Sequence, residues 1–238
     1  MRFVIVRHGD PDYSVDSLTP KGWREAELLS ERLTKLDVKA FYCSPLGRAK
    51  DTASKTLEKL NRSAETLKWA REFEGKVKIN GETKSAWDRL PSEWTDNPDF
   101  YTPQGWIKTP IMQSGNVEKK YNKVCKGVDE LLAKHGYVHK GNVFEVKKPN
   151  HDTIVLFCHF GVECVILSHI FGCSPMVLWH NFVALPTSVT TLITEEREEG
   201  IAVFRIQQFG DISHLYAGGE EPAFAARFCE CFTDDTRH

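Results

Sequence analysis

Apolar residues are spaced along this chain in two distinct ways. Phe3-Val4-Ile5-Val6 and Thr153-Ile154-Val155-Leu156-Phe157-Cys158 are short continuous apolar runs without polar alternation. This is the signature of strands buried on both faces. Ala40–Cys43 reads as a further strand, and Ala64–Phe73 as another, centred on Thr66-Leu67-Lys68-Trp69. Helical spacing of three and four appears in Trp23, Ala26, Leu29, Leu33 and Leu36, behind a Thr19-Pro20 start. It recurs from Val117 to His135, where Tyr121, Val124, Val128, Leu131 and Leu132 share a face, and a helix over Val162–Phe171 stops at Gly172. Val189–Glu195 and Ile201–Phe209 predict a hairpin, and Gly136–Asn150 a second one turning at Lys140-Gly141-Asn142. Residues 210–238 read as loop with a short terminal segment.

Strands alternating with helices predict an α/β fold: a three-layer α/β/α sandwich on a mostly parallel sheet. Periodicity fades between Gly75 and Gly115, a stretch rich in Trp and Pro. A structureless loop of that length is uncommon, so it reads as an inserted cap with short helices of its own. The organisation expected is one domain, 1–238, interrupted by an insertion at about 75–150.

Length and charge narrow the classes. The 238 residues carry 41% hydrophobic and 27% charged side chains with a net charge of −2. That composition is globular, and the balanced charge gives no field for nucleic acid or an anionic membrane. The first strand runs into charge too soon for a signal peptide, and no apolar run reaches the ~18 residues of a membrane span. A cytoplasmic protein is expected. The seven cysteines form no C-x-x-C pair, and most lie in apolar segments as small hydrophobes. Cys229-x-Cys231 lacks the companions of a zinc site.

Chemistry concentrates where the buried strands end. Arg7-His8-Gly9 follows the first, and His159-Phe160-Gly161 follows the second. Strand ends of open α/β sheets are where ligands sit. Between them Ser44 caps and Pro45 opens a helix whose first turn holds Arg48. Two guanidinium forks, two imidazoles and helix N-terminal amides suit a tetrahedral dianion such as phosphate. Adjacent arginines would repel a divalent cation, so no metal is expected there.

The residues Arg7-His8-Gly9, Leu18–Glu27 (LTPKGWREAE), Ser44–Ala53 (SPLGRAKDTA), the strand-end His159 and the Phe209–Leu215 tail together resemble the histidine phosphatase superfamily, the phosphoglycerate mutase-like family. The resemblance spans about 1–73 and 150–215. Two positions depart from the family pattern: Phe160 separates His159 from Gly161, and Glu25 stands where the family has Gln. The resemblance implies a metal-independent phosphatase of a small phosphorylated metabolite, working through a phosphohistidine and needing no cofactor. It makes His8 the nucleophile and Glu72 the general acid, with Glu74, two residues on, as the rival. His159 acts beside them, and Arg7, Arg48, Gly9 and Phe160 line the phosphate site. A phosphoglycerate mutase and a catalytically silent interaction module on the same fold are the alternatives. The insertion is expected to cap the pocket and select the leaving group, with Lys84, Arg89 and Lys108 for a second anionic group; bracing the fold or a homodimer contact is its other reading. His214 is a candidate pocket residue, His169 and His180 read as core histidines, and Gly136 separates His135 from His139.

Overall fold

The computed structural model describes residues 1–225 and 227–234. Its first part runs β1 (Arg2–Arg7), β2 (Pro11–Asp12), β3 (Ser17–Leu18), α1 (Pro20–Leu33), β4 (Val38–Cys43), α2 (Gly47–Leu60) and β5 (Ala64–Thr66). The middle carries β6 (Lys76–Ile79), β7 (Glu82–Ser85), three short 3-10 turns, α3 (Pro110–Gln113), α4 (Val117–Lys134), β8 (Tyr137–Lys140) and β9 (Val143–Val146). The last part holds β10 (Thr153–Cys158), α5 (Phe160–Phe171), α6 (Pro175–Asn181), β11 (Val189–Glu198), β12 (Ile201–Asp211) and α7 (Ser213–Ala217).

Eight strands form the central sheet in the order β5-β4-β10-β1-β11-β12-β9-β8. The unalternating runs are explained by what lies on each face. Phe3, Ile5, Ile154 and Leu156 join one core cluster with α4 and α5, through Val128, Leu132, Val162 and Ile166. Val4, Val6, Val155 and Phe157 join the other with α1 and α2, through Leu29, Leu33, Ala49 and Ala53. Both side-chain rows of each central strand are covered, which is the three-layer sandwich.

Several sequence expectations change. The sheet is parallel only over β5-β4-β10-β1; from β1 to β8 every pairing is antiparallel. The hairpins supply this half, since short turns join only antiparallel strands. The second hairpin lies in the main sheet, where β9 pairs with β12. Residues 117–150 are therefore built into the sandwich, and the irregular segment is 75–115. Its Trp94, Phe100, Trp106 and Met112 join the core cluster of the sheet and α5.

The expected strand over Ala64–Phe73 is short: β5 ends at Thr66 and a 3-10 turn takes Lys68–Ala70. As the edge strand it pairs only with β4. The helix expected from Pro45 starts at Gly47, with Leu46 at its cap position and no side-chain cap. Ser44 is engaged elsewhere, as described below. Among the described residues no helix is long and apolar enough to cross a membrane.

Candidate active site

Sheet register assembles the site. β1 and β10 are parallel neighbours with Arg7 opposite Cys158. The next residue of each strand therefore leaves the same sheet edge beside the other. His8 and His159 emerge with ring centroids 5.1 Å apart. The His8 amide remains tied across, donating to Cys158 O at 3.0 Å. Both rings are enclosed, His8 at 1% and His159 at 0% exposure, with Arg7 at 4% and Arg48 at 9% beside them.

A hydrogen bond fixes the tautomer of His8. His8 Nδ1 lies 2.8 Å from Gly9 O. A carbonyl only accepts, so Nδ1 carries the proton and the Nε2 lone pair is free. Burial, then Arg7 and Arg48, hold the His8 pKa well below 6.5 against the Gly9 bond, so the ring is neutral near pH 7. On the other ring, His159 Nε2 lies 2.7 Å from Ser44 Oγ. Ser44 Oγ also accepts from Leu46 N–H at 3.3 Å. Among the described residues His159 Nδ1 is a buried atom with no partner. A nucleophilic lone pair thus stands beside an imidazole with one ring nitrogen unengaged. Burial, His8 and the arginines likewise push the His159 pKa well below 6.5.

The arginines are anchored by different means. Arg7 donates through Nη1 to Ala184 O, and at 3.5 Å to Ala225 O in the C-terminal segment. Arg48, in the first turn of α2, donates to Asp16 Oδ1 at 2.6 Å, while Asp16 Oδ2 accepts from Gly47 N–H at 2.8 Å. Among the described residues the Nε atoms of both arginines are buried without partners. Gly9 N–H is taken by Thr52 Oγ1 at 2.9 Å. What Gly9 supplies is close approach: a Cβ there would come within 2.9 Å of Gly22 O on α1.

Glu72 is brought to the start of α5. Its Oε1 accepts from Phe73 N–H at 2.7 Å, and the carboxylate also accepts from Val162 N–H. Burial raises its pKa, and these backbone bonds with Arg7 and Arg48 only partly offset that. Room for it depends on Gly161, where a Cβ would sit 2.5 Å from Glu72 Oε1. Phe160 between the two motif residues is the first residue of α5 and packs against the core. Glu74 instead turns to solvent, paired with Lys120 at 2.9 Å and Arg71 at 3.1 Å, which lower its pKa.

Further residues lie close to the site, of which Glu163 and Thr187 were not singled out from sequence. Glu163 in the first turn of α5 is buried, accepts from Thr190 Oγ1, and is pushed by burial to a pKa of about 7. Thr187 holds φ +57°, rare for a β-branched residue, and its N–H donates to His8 O at 3.1 Å. Its hydroxyl donates to Pro186 O and accepts from His214 Nε2 at 3.1 Å, so His214 meets the site through Thr187. Glu25, at the position that departs from the family's Gln, is buried and accepts from the amides of Asp10 (2.8 Å) and Ala223 (3.3 Å). Glu163 and Thr187 have no local signal, because Thr190 and His8, which tie them to the site, come from distant segments. His180 is a satisfied core histidine: its Nε2 accepts from Arg89 N–H and its Nδ1 donates to Met176 O. Of the cations expected for a second anion, Arg89 pairs with Glu93 and Lys84 with Glu82.

The sequence profile of the histidine phosphatase superfamily (branch 1) matches residues 3–207. A stretch of 73 residues is 36% identical to a 2,3-bisphosphoglycerate-dependent phosphoglycerate mutase of Thermoplasma acidophilum, covering 26% of this chain and 36% of that one. The chain thus matches about a third of the length of this curated relative. The fold is similar to a phosphoserine phosphatase from Entamoeba histolytica (TM-score 0.58, 20% identity, 90% of this chain and 98% of that one). It is also similar to a mycobacterial glucosyl-3-phosphoglycerate phosphatase (0.58, 20%, 87% and 98%) and an alpha-ribazole phosphatase from Shigella flexneri (0.55, 19%, 87% and 95%). With its profile spanning most of the sequence and its paired histidines at one sheet edge, the chain belongs to the histidine phosphatase superfamily.

Proposed function

We propose that the protein is a metal-independent phosphatase of small phosphorylated metabolites that works through a phosphohistidine on His8. The observation that carries this reading is the state of His8: neutral, fixed by Gly9 O, with Nε2 free between two arginines. In-line attack by Nε2 on phosphorus forms the N–P bond as the ester P–O bond breaks. Arg7, Arg48 and the His159 Nδ1–H meet the equatorial oxygens, where charge is spread in the transition state. Glu72, whose pKa burial raises, gives its proton to the leaving alkoxide. The carboxylate so formed takes a proton from the water that then attacks phosphorus, and His8 leaves.

A phosphoglycerate mutase is the second reading, favoured by the mutase similarity over 73 residues. A mutase returns the phosphoryl group to an acceptor hydroxyl in place of water. A phosphate-ester panel in the presence of EDTA, with His8→Ala as control, separates the two. Release of inorganic phosphate that depends on His8 supports the phosphatase; isomerisation without release supports the mutase; neither activity leaves the silent interaction module.

A further inference from the structure

A second cluster of chemistry-bearing side chains lies away from the phosphate site. Asp129 on α4, His139 on β8 and His169 in the last turn of α5 converge on one point. Asp129 Oδ1 is 2.9 Å from His139 Nδ1 and 2.7 Å from His169 Nε2, and those two nitrogens are 3.2 Å apart. His169 is ten residues beyond His159, roughly 15 Å along the helix axis. The cluster therefore shares no residue with the phosphate site. By its sequence surroundings His169 reads as a core histidine, and Gly136 separates His135 from His139. His135 indeed turns to the Tyr42 hydroxyl, and His139 finds its partners across two helices instead.

We propose that Asp129, His139 and His169 bind a divalent transition-metal ion of the zinc type. Three donor atoms of the right kinds form a closed triangle with sides of 2.7–3.2 Å. Donors 2.0–2.1 Å from a tetrahedral zinc lie about 3.3 Å apart, so a slight opening of this triangle seats the ion. Hydrogen bonding alone serves the triangle poorly. If both nitrogens donate to Oδ1, their N–H groups crowd at 3.2 Å and neither accepts from the other. One cation at the centre satisfies all three lone pairs. The ligands are also braced: the His139 ring stacks on Phe144 with centroids 4.5 Å apart and 8° between planes, and meets the His169 ring edge-on.

The site has access and room. Asp129 has a side-chain exposure of 40%. A cavity of about 160 Å³, lined by Tyr121, His139, Asn142, Ser168, His169 and Cys173, adjoins the imidazoles. It has space for a water as fourth ligand. Two imidazoles and one carboxylate suit zinc and its first-row neighbours and disfavour magnesium or calcium, which take mostly oxygen. The ion would join α4, α5 and the edge strand β8, three elements distant in sequence.

The test uses the full chain, stripped of metal and titrated with Co(II) and then Zn(II). One equivalent of Co(II) should produce visible d–d absorption that Zn(II) displaces, and Zn(II) should raise the melting temperature by about 5 °C. Asp129→Asn keeps the side-chain shape and should weaken Co(II) binding at least tenfold, as should His169→Ala. Cys229→Ser/Cys231→Ser, which removes the exposed thiols as competing ligands, should leave the band unchanged. Circular dichroism confirms that each variant is folded, and Asp129→Asn serves should His169→Ala unfold. No binding by the wild type, or binding unchanged in Asp129→Asn, would overturn the site. Loss of the band in the double cysteine variant would move the metal to the tail and overturn it equally.

Discussion

Ser44 Oγ lies 2.7 Å from His159 Nε2 and accepts from Leu46 N–H. The bond between hydroxyl and ring couples the tautomer of His159 to Ser44. Removing it by Ser44→Ala leaves a buried nitrogen unsatisfied, a cost of about 1–3 kcal/mol. If that cost falls on the transition state, kcat drops roughly tenfold or more. The tautomer change itself should appear in the ring nitrogen chemical shifts of His159, which a merely structural loss would not move. Unchanged kcat with a changed tautomer would remove His159 Nδ1 from the reaction.

Glu72 depends on the missing side chain at Gly161. A Cβ there would press within 2.5 Å of Oε1, so Gly161→Ala should displace the carboxyl. General acid catalysis contributes about 10²–10⁴-fold. Both Gly161→Ala and Glu72→Gln should lose activity in that range on alkyl phosphates and much less on aryl phosphates with good leaving groups. Equal losses on both substrate types would argue against the acid role.

The pH profile follows from two opposite shifts. His8 must be neutral to attack, and its lowered pKa keeps it so well into acid. Glu72 must be protonated to assist the leaving group, and its raised pKa extends that form upward. The pH profile of kcat/KM should therefore keep its plateau below pH 6.5 and fall on the alkaline side as Glu72 ionises. Glu72→Gln should abolish the alkaline limb. An acid limb centred near 6.5 would mean that His8 is not buried between the arginines in solution.

Glu25 supplies a stability test. Burial raises its pKa from 4.5 to about 7. The folded state then holds a proton that the unfolded chain has released, so its contribution to stability is present below about 4.5 and is lost as pH rises through about 7. The effect at pH 8 is on the order of 1–3 kcal/mol. Glu25→Gln retains an acceptor for Asp10 N–H and carries no charge, so it should melt higher than the wild type at pH 8 and show a flatter slope between pH 5 and 8. A variant that melts lower at pH 8 would show that the carboxylate's second bond, to Ala223, outweighs its burial.

How much of this was visible in the sequence depends on the range of each interaction. The buried runs Phe3–Val6 and Thr153–Cys158, with the histidines that follow them, are local signals, and register alone turned them into a pair. Arg48 was legible because the first turn of a helix is a local feature. Ser44 was read as a cap because its Ser-Pro context fits one; its actual partner, His159, lies 115 residues away. Both hairpins of the antiparallel half were legible from their turns, but their joins to the rest of the sheet, β1 with β11 and β12 with β9, were not, because pairing between distant strands has no sequence pattern. Glu72 and Glu74 were inseparable while the segment was taken as extended. Beyond the 3-10 turn, Lys120 and Arg71 take one carboxylate outward, and the amides of Phe73 and Val162 hold the other inward.

Metal removal separates the two sites. No step proposed at His8 uses an ion, so exhaustive chelation should leave the hydrolysis rate unchanged at temperatures well below the melting transition. Loss of activity in EDTA restored by zinc or manganese would replace the phosphohistidine route with metal-activated water.

The central claim is a covalent bond to His8 Nε2, and intact-protein mass spectrometry of a rapidly quenched, acid-free turnover mixture tests it most directly. The protein should gain one phosphoryl group, located on His8 by fragmentation and accumulating when Glu72→Gln slows its hydrolysis. No such adduct in either protein, together with a His8→Ala variant that keeps most of the turnover, would contradict the account.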